Sequence, residues 1–184
     1  MARERSAVGP GKFDFVVFDL ETTGLCPQQD EIIEIAALGV KNGLPVEQFQ
    51  RFVKPLHGLS AAAMEINRIT EEMLVNAPGF AEAFFDFQSF LGMDAVLVGH
   101  NIIGFDLPFL ASSAARYHLQ DLYFAETEDT LLAAKALWPN LNSYSLDSFR
   151  KLLAIERQNR HRALADCYDA LALYNAQSSA VLDL

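Results

Sequence analysis

The sequence predicts an α/β fold: a mixed five-stranded sheet, three antiparallel strands first and then alternating strand and helix, with helices packed on it. Three observations predict it. The chain opens with extended, β-branched and aromatic runs separated by short turns. A short, fully apolar run follows at Ala95-Val-Leu-Val-Gly99, which suits a buried central strand. The C-terminal segment then carries Leu164, Tyr168 and Leu171 at the i, i+4, i+7 spacing of a helix face.

The elements follow in order. Phe13 to Leu20 reads as the first strand, ended by Thr23-Gly24 and Pro27. Glu31 to Lys41 is the second, and Asn42-Gly43 signals the tight turn of a hairpin. Gln48 to Lys54 completes an antiparallel meander. Helices are expected over Ser60–Ile66, from Thr70 with Glu71 and Glu72 in its first turn, and over Phe80–Leu91. After Ala95–Gly99 come a helix over Asp106–Tyr117, a strand over Leu122–Thr127, and helices over Asp129–Leu137, Ser145–Leu153 and Arg162–Gln177. No repeat or linker divides the chain, so one domain is expected over 13–176, with short tails at 1–12 and 177–184.

At 184 residues, 51% of them hydrophobic, the chain can bury a sizeable core. Its apolar runs fall far short of the roughly 20 residues that span a bilayer, and Met1–Lys12 lacks the apolar stretch of a secretory signal. No membrane association and a cytoplasmic location are expected. Cys26 and Cys167 have no paired spacing and read as reduced thiols. The net charge of −10 argues against tight nucleic-acid binding, since such proteins are usually basic. It equally suits carboxylates clustered around a cation, or a substrate delivered by a partner.

Five residues stand out chemically. Asp19 and Glu21 end the first strand two positions apart, so both carboxylates leave one face. Such a pair repels unless a cation lies between, and magnesium or manganese takes hard oxygen ligands of this kind. A polar exit from the strand explains the pair as well. Asp106 precedes a helix with Pro108 in its first turn, which also fits an ordinary helix cap. Asp166 has Ala163, Ala170 and Leu173 on its helix stripe, so a buried carboxylate is expected there, paired by a metal or by a salt bridge. His161, five residues earlier, has the near-neutral imidazole suited to taking a proton from water.

The order Asp19-x-Glu21-Thr-Thr-Gly24, His100-Asn101-x-x-x-Phe105-Asp106, His161-Arg-Ala-Leu-Ala-Asp166 closely resembles the histidine-bearing subgroup of the DEDD exonuclease superfamily. That subgroup includes the proofreading exonucleases of bacterial replicative DNA polymerases. The resemblance takes in Glu31-Ile-Ile-Glu-Ile-Ala36, Asp129-Thr130-Leu131 and Ser143-Tyr-Ser-Leu-Asp147 as well. In the tyrosine subgroup a Tyr would stand four residues before Asp166, where this chain has Arg162.

The resemblance implies an RNase H-like fold with helices on both faces, and a 3′–5′ exonuclease releasing nucleoside 5′-monophosphates. It implies that Asp19, Glu21, Asp106 and Asp166 hold two divalent ions, Mg²⁺ or Mn²⁺, and that His161 is the general base. Thr22, Thr23, Leu25, Asn101 and Phe105 would bind or frame the terminal nucleotide. The implied partners are single-stranded or 3′-terminal DNA and a DNA polymerase or sliding clamp. An exoribonuclease of the same fold, a catalytically inactive binding module and a nucleotide phosphatase are the competing readings. One departure stands at Asn67-Arg68-Ile69-Thr70, where the family often carries His-Gly-Ile-Thr. Arg150, Lys151, Arg157, Arg160 and Arg162 form a basic strip, read either as a phosphate-contacting surface or as a solvated face.

Overall fold

The computed structural model describes residues 11–155 and 162–182. Alternation along its first strand decides what each side of the sheet receives. In β1 (Phe15–Thr22), Val16, Phe18 and Leu20 turn to one side, and Val17, Asp19 and Glu21 to the other. β2 (Ile32–Lys41) pairs antiparallel with β1, setting Asp19 opposite Ala36 and Glu21 opposite Glu34. β3 (Leu44–Phe52) pairs antiparallel with β2. β4 (Val96–Gly99) lies parallel on the far side of β1, and β5 (Glu126–Asp129) lies parallel to β4. The five-stranded sheet has the order β3-β2-β1-β4-β5, with the strand that bears Asp19 and Glu21 at its centre.

Three backbone positions make this sheet possible. Asn42 and Gly43 both take left-handed φ, 52° and 73°, as a two-residue hairpin turn requires. At the end of β4, a Cβ on Gly99 would lie 2.8 Å from the Phe18 carbonyl oxygen, so glycine alone fits where the chain leaves the strand beside β1.

The helices are α1 (Ala61–Asn67), α2 (Glu71–Leu74), α3 (Phe80–Leu91), α4 (Asp106–Arg116), α5 (Thr130–Leu137), α6 (Leu146–Leu152) and α7 (Ala163–Leu182). Ser60, Asp129 and Ser145 cap α1, α5 and α6 by accepting hydrogen bonds from first-turn N–H groups. α3 and α4 cover one face, burying Phe84, Phe87, Phe90 and Phe109 against Phe18 and Phe49. α7 covers the other, placing Ala163, Cys167, Ala170 and Leu171 on Val17, Ala36, Leu38 and Val98. No described helix is long and apolar enough to cross a membrane.

Several boundaries differ from the sequence expectation, β1 among them, which runs Phe15–Thr22 rather than Phe13–Leu20. β3 begins at Leu44 rather than Gln48, because the Asn42-Gly43 turn lets pairing resume at once, Lys41 opposite Leu44. The last strand is the polar Glu126–Asp129, not Leu122–Thr127, since Leu122 and Phe124 pack on the aromatic core instead. The helix expected from Thr70 is a single turn, Glu71–Leu74. α7 continues past Gln177 to Leu182.

Candidate active site

β1 and α7 bring three of the expected carboxylates together. Asp19, Glu21 and Asp166 each offer an oxygen, and the three oxygens lie within 4.8 Å of one another. Asp19 and Glu21 get there by the two-residue repeat of the strand. Asp166 arrives because its turn of α7 is the one seated on the sheet between Ala163 and Cys167, both fully buried. The convergence adds a third carboxylate to the pair, which a polar exit from the strand does not require. Nor does Asp166 form a salt bridge among the described residues; the buried pair one turn on joins Arg150 to Asp169 at 3.1 Å.

Asp106 approaches from the opposite layer. Phe105, not Asp106, is the N-cap of α4, and the Asp106 side chain turns away to accept the Leu20 N–H at 3.0 Å. That bond fixes a buried carboxylate on the Leu20 N–H, next along β1 from Asp19 and near enough to raise the Asp19 pKa, so the helix-cap alternative gives way to an attachment to β1.

Crowding of like charge in a desolvated place raises all four carboxyl groups. Burial and then the neighbouring Asp106, Asp166 and Glu21 push Asp19 well above its ordinary range. Burial and then Asp166 and Glu34 take Glu21 up to about 8, against the opposing pull of Arg162. Asp106 rises to about 8 through burial, opposed by the Leu20 hydrogen bond, and Asp166 to about 7 through burial and Asp169, opposed by Arg150. Anionic oxygens held this close fit a divalent cation, which would relieve both the repulsion and the desolvation.

The other expected residues lie at or just after the end of β1 and between β4 and α4. Leu25 is 84% exposed, so its apolar side chain is free to meet a ligand. Thr22 donates its hydroxyl to the Gly24 carbonyl, and its own carbonyl accepts Asn67 Nδ2 at 3.4 Å. The Thr23 N–H is held by the Glu31 carbonyl at 2.8 Å. Asn101 takes a left-handed φ of 66°, and its carbonyl accepts the Phe105 N–H at 2.9 Å, closing the loop that delivers Asp106. Phe105 packs on Phe109 with ring centroids 4.8 Å apart. His161, Arg157 and Arg160 lie outside the described residues.

Several organising residues escaped sequence reasoning. Asp129 is a hub: it caps α5 and also accepts the N–H groups of Asn101 and Ile103, tying the Asp106 loop to the sheet. His100 is half-buried between Thr130 Oγ1 and the Tyr144 carbonyl, at 2.9 and 2.8 Å, and desolvation lowers its pKa, so it serves the scaffold. Glu34, fully buried, accepts Arg162 at 2.9 Å. The basic strip therefore dissolves in part: Arg150 is buried on Asp169 and Arg162 is held by Glu34, which leaves Lys151 as its exposed member among the described residues. Arg68 adopts φ 57°, ψ 22°, so the loop keeps the left-handed turn that glycine favours, at a cost of about 1–2 kcal/mol.

The exonuclease family model of RNase T type matches residues 16–174. The PolC-type DNA polymerase III of Oceanobacillus iheyensis is 40% identical over 152 residues, 83% of this chain and 10% of that protein. That of Thermotoga maritima is 41% identical over 160 residues, 85% of this chain and 11% of that protein. The chain thus spans about a tenth of the length of these relatives. A solved structure of exonuclease X in complex with 5′ overhanging duplex DNA matches with a TM-score of 0.72 and 30% identity, covering 90% of this chain and 91% of that one. On the family match, these relatives and the carboxylates gathered between β1, α4 and α7, the chain belongs to the RNase T-type exonuclease family, within the DEDD superfamily.

Proposed function

We propose that this chain is a 3′–5′ exonuclease that hydrolyses the terminal phosphodiester bond of DNA and releases nucleoside 5′-monophosphates. The observation that carries the reading is the convergence of Asp19, Glu21 and Asp166 within 4.8 Å, with Asp106 fixed to the backbone N–H of Leu20, the residue after Asp19. These four carboxylates are the residues that would hold two divalent ions. When bound, Mg²⁺ or Mn²⁺ supplies electrostatic stabilisation to the phosphate and to the leaving oxygen.

The chain's own residues do the rest. Leu25 bears on the terminal base, and Thr22, Thr23, Asn101 and Phe105 frame the terminal nucleotide, which excludes water from the wrong side and holds the phosphate in line. His161 takes the proton of the attacking water at its imidazole. The new P–O bond forms as the bond to the 3′ oxygen breaks, and that oxygen leaves with a proton from solvent.

The substrate reading rests on the relatives: PolC-type polymerases and a DNA-bound exonuclease X. We read the physiological setting as proofreading or repair, with DNA brought by an associated polymerase or clamp, because the net charge of −10 opposes a strong intrinsic grip. The test is a 5′-labelled oligonucleotide incubated with the protein and Mn²⁺, alongside an RNA of the same sequence. Stepwise shortening from the 3′ end, faster on DNA, is expected. Equal or faster RNA shortening would move the substrate class to RNA, and no shortening of either would overturn the reading.

A further inference from the structure

We propose that Glu34 and Arg162 are positioning residues: a clamp, buried at Glu34 and half-buried at Arg162, that sets the first turn of α7, and with it Asp166, against the carboxylates of β1. The inference rests on the reading of Asp19, Glu21 and Asp166 as ligands of a divalent cation.

Glu34 is an expensive residue for the fold to keep. It is 0% exposed and stands directly opposite Glu21 in the β1–β2 register, so it adds negative charge beside a cluster already crowded with it. A buried carboxylate in that place destabilises unless its oxygens are fully met. They are met from two elements at once. Gln50 Nε2 of β3 donates to Oε1 at 2.6 Å. Arg162 donates Nη2 to Oε1 at 2.9 Å and Nε to Oε2 at 3.2 Å, and the Ala163 backbone N–H reaches Oε2 at 3.3 Å. The two-toothed Arg–carboxylate contact fixes direction as well as distance, which a lysine could not do. The guanidinium also lies over the Phe52 ring, 5.0 Å from its centroid.

From there the linkage to Asp166 is short and stiff. The Arg162 carbonyl accepts the N–H of Ala165 at 2.8 Å and the N–H of Asp166 itself at 3.1 Å. The side chain of Arg162 thus anchors to β2 while its main chain carries the helical turn that presents Asp166. A second rung holds the same turn two residues along β2, where Cys167 Sγ meets the Ala36 carbonyl at 3.4 Å. Asp166 sits between these rungs, facing Asp19 and Glu21. An ion pair kept only for stability could lie anywhere between β2 and α7; this one lies one helical turn from a candidate ligand.

The test uses Arg162→Lys, which keeps the charge and loses the fork, and Glu34→Gln, which keeps the shape and an acceptor oxygen should the first variant fold poorly. Mn²⁺ binding is measured calorimetrically without DNA, and kcat and KM are measured on an oligonucleotide. Either variant should weaken Mn²⁺ binding about 10–100-fold, the usual effect of losing a group that orients a ligand, with KM for DNA little changed. In an Asp166→Ala background, Arg162→Lys should weaken Mn²⁺ binding no further, because the clamp acts through Asp166. Unchanged Mn²⁺ affinity with only a lower melting temperature would overturn the proposal and leave a structural ion pair. A raised KM with altered salt dependence and unchanged Mn²⁺ affinity would also overturn it, making Arg162 a phosphate contact. Absence of Mn²⁺ binding by the parent protein defeats the ligand reading itself, and the clamp with it; that outcome is distinct from loss in the variants alone.

Discussion

β1 serves two faces with alternate residues, and the two faces are built on different terms. Toward α3 and α4 it sends Val16, Phe18 and Leu20 into an aromatic layer whose Phe18–Phe87 and Phe49–Phe87 ring centroids lie 5.7 and 5.6 Å apart. Toward α7 it sends Val17, Asp19 and Glu21, where the sheet meets small residues and buried charge: Glu34 with Arg162, and Arg150 with Asp169 farther along the helix. The aromatic face gains from every residue it buries. The α7 face keeps carboxylates close at a cost in repulsion, and its ion pairs fix geometry more than they add stability. Substitutions on the two faces should therefore fail in different ways, and that difference is open to measurement.

The largest effect is expected at Asp19. Asp19→Ala should abolish hydrolysis while the circular dichroism spectrum and metal-free melting temperature stay at or above those of the parent, because a repelling charge is removed and no apolar contact is lost. Near-parental turnover by a folded Asp19→Ala protein would remove Asp19 from the site. His161→Ala should come next, with kcat lower by about 10²–10⁴-fold and Mn²⁺ binding retained. If Mn²⁺ binding is lost instead, His161 is a ligand; if neither changes, the base is another group.

The aromatic face should behave in the opposite sense. Phe87 of α3 is fully buried against Phe18 and Phe49, so Phe87→Ala should cost about 3–5 kcal/mol by chemical denaturation. Protein that remains folded should keep its Mn²⁺ affinity and turnover. A selective loss of Mn²⁺ binding in folded Phe87→Ala would mean that the two faces are not independent.

How much of this was legible in the sequence differs between the faces in the same way. The strands and the antiparallel meander of the first three follow from local patterns, because alternation and turn chemistry act over a few residues. Asp19 and Glu21 on one face follow from the same rule, and Asp106 and Asp166 join them through the ordered motif. The partners of buried charge do not follow. Glu34 meets Arg162 across 128 positions of sequence, and nothing local distinguishes Arg162 or Arg150 from solvated cations, which is why both read as part of a basic strip. β5 was misplaced because Glu126–Asp129 has little strand propensity of its own and is extended by pairing with β4, Gly99 opposite Asp129.

The last effect expected is also the most direct reading of the crowded face: the pH dependence of metal-free stability. Glu21 and Asp106 rise to about 8 in the folded chain from ordinary values of 4.5 and 3.8, and Asp166 rises to about 7 from 3.8. A carboxyl whose folded pKa is raised holds its proton longer folded than unfolded. Its favourable contribution is therefore complete below the unfolded value and is lost as pH climbs toward the folded one. The metal-free protein should thus melt at progressively lower temperature between about pH 5 and pH 8. Mn²⁺ should reverse the trend, raising the melting temperature more at pH 8 than at pH 5, since the cation binds the deprotonated carboxylates of the folded state. Asp166→Asn should flatten the metal-free slope, whereas Phe87→Ala should lower the whole curve and leave its slope alone. A metal-free melting temperature that holds steady or rises from pH 5 to pH 8 would show that these carboxylates do not carry the mutual strain their spacing implies.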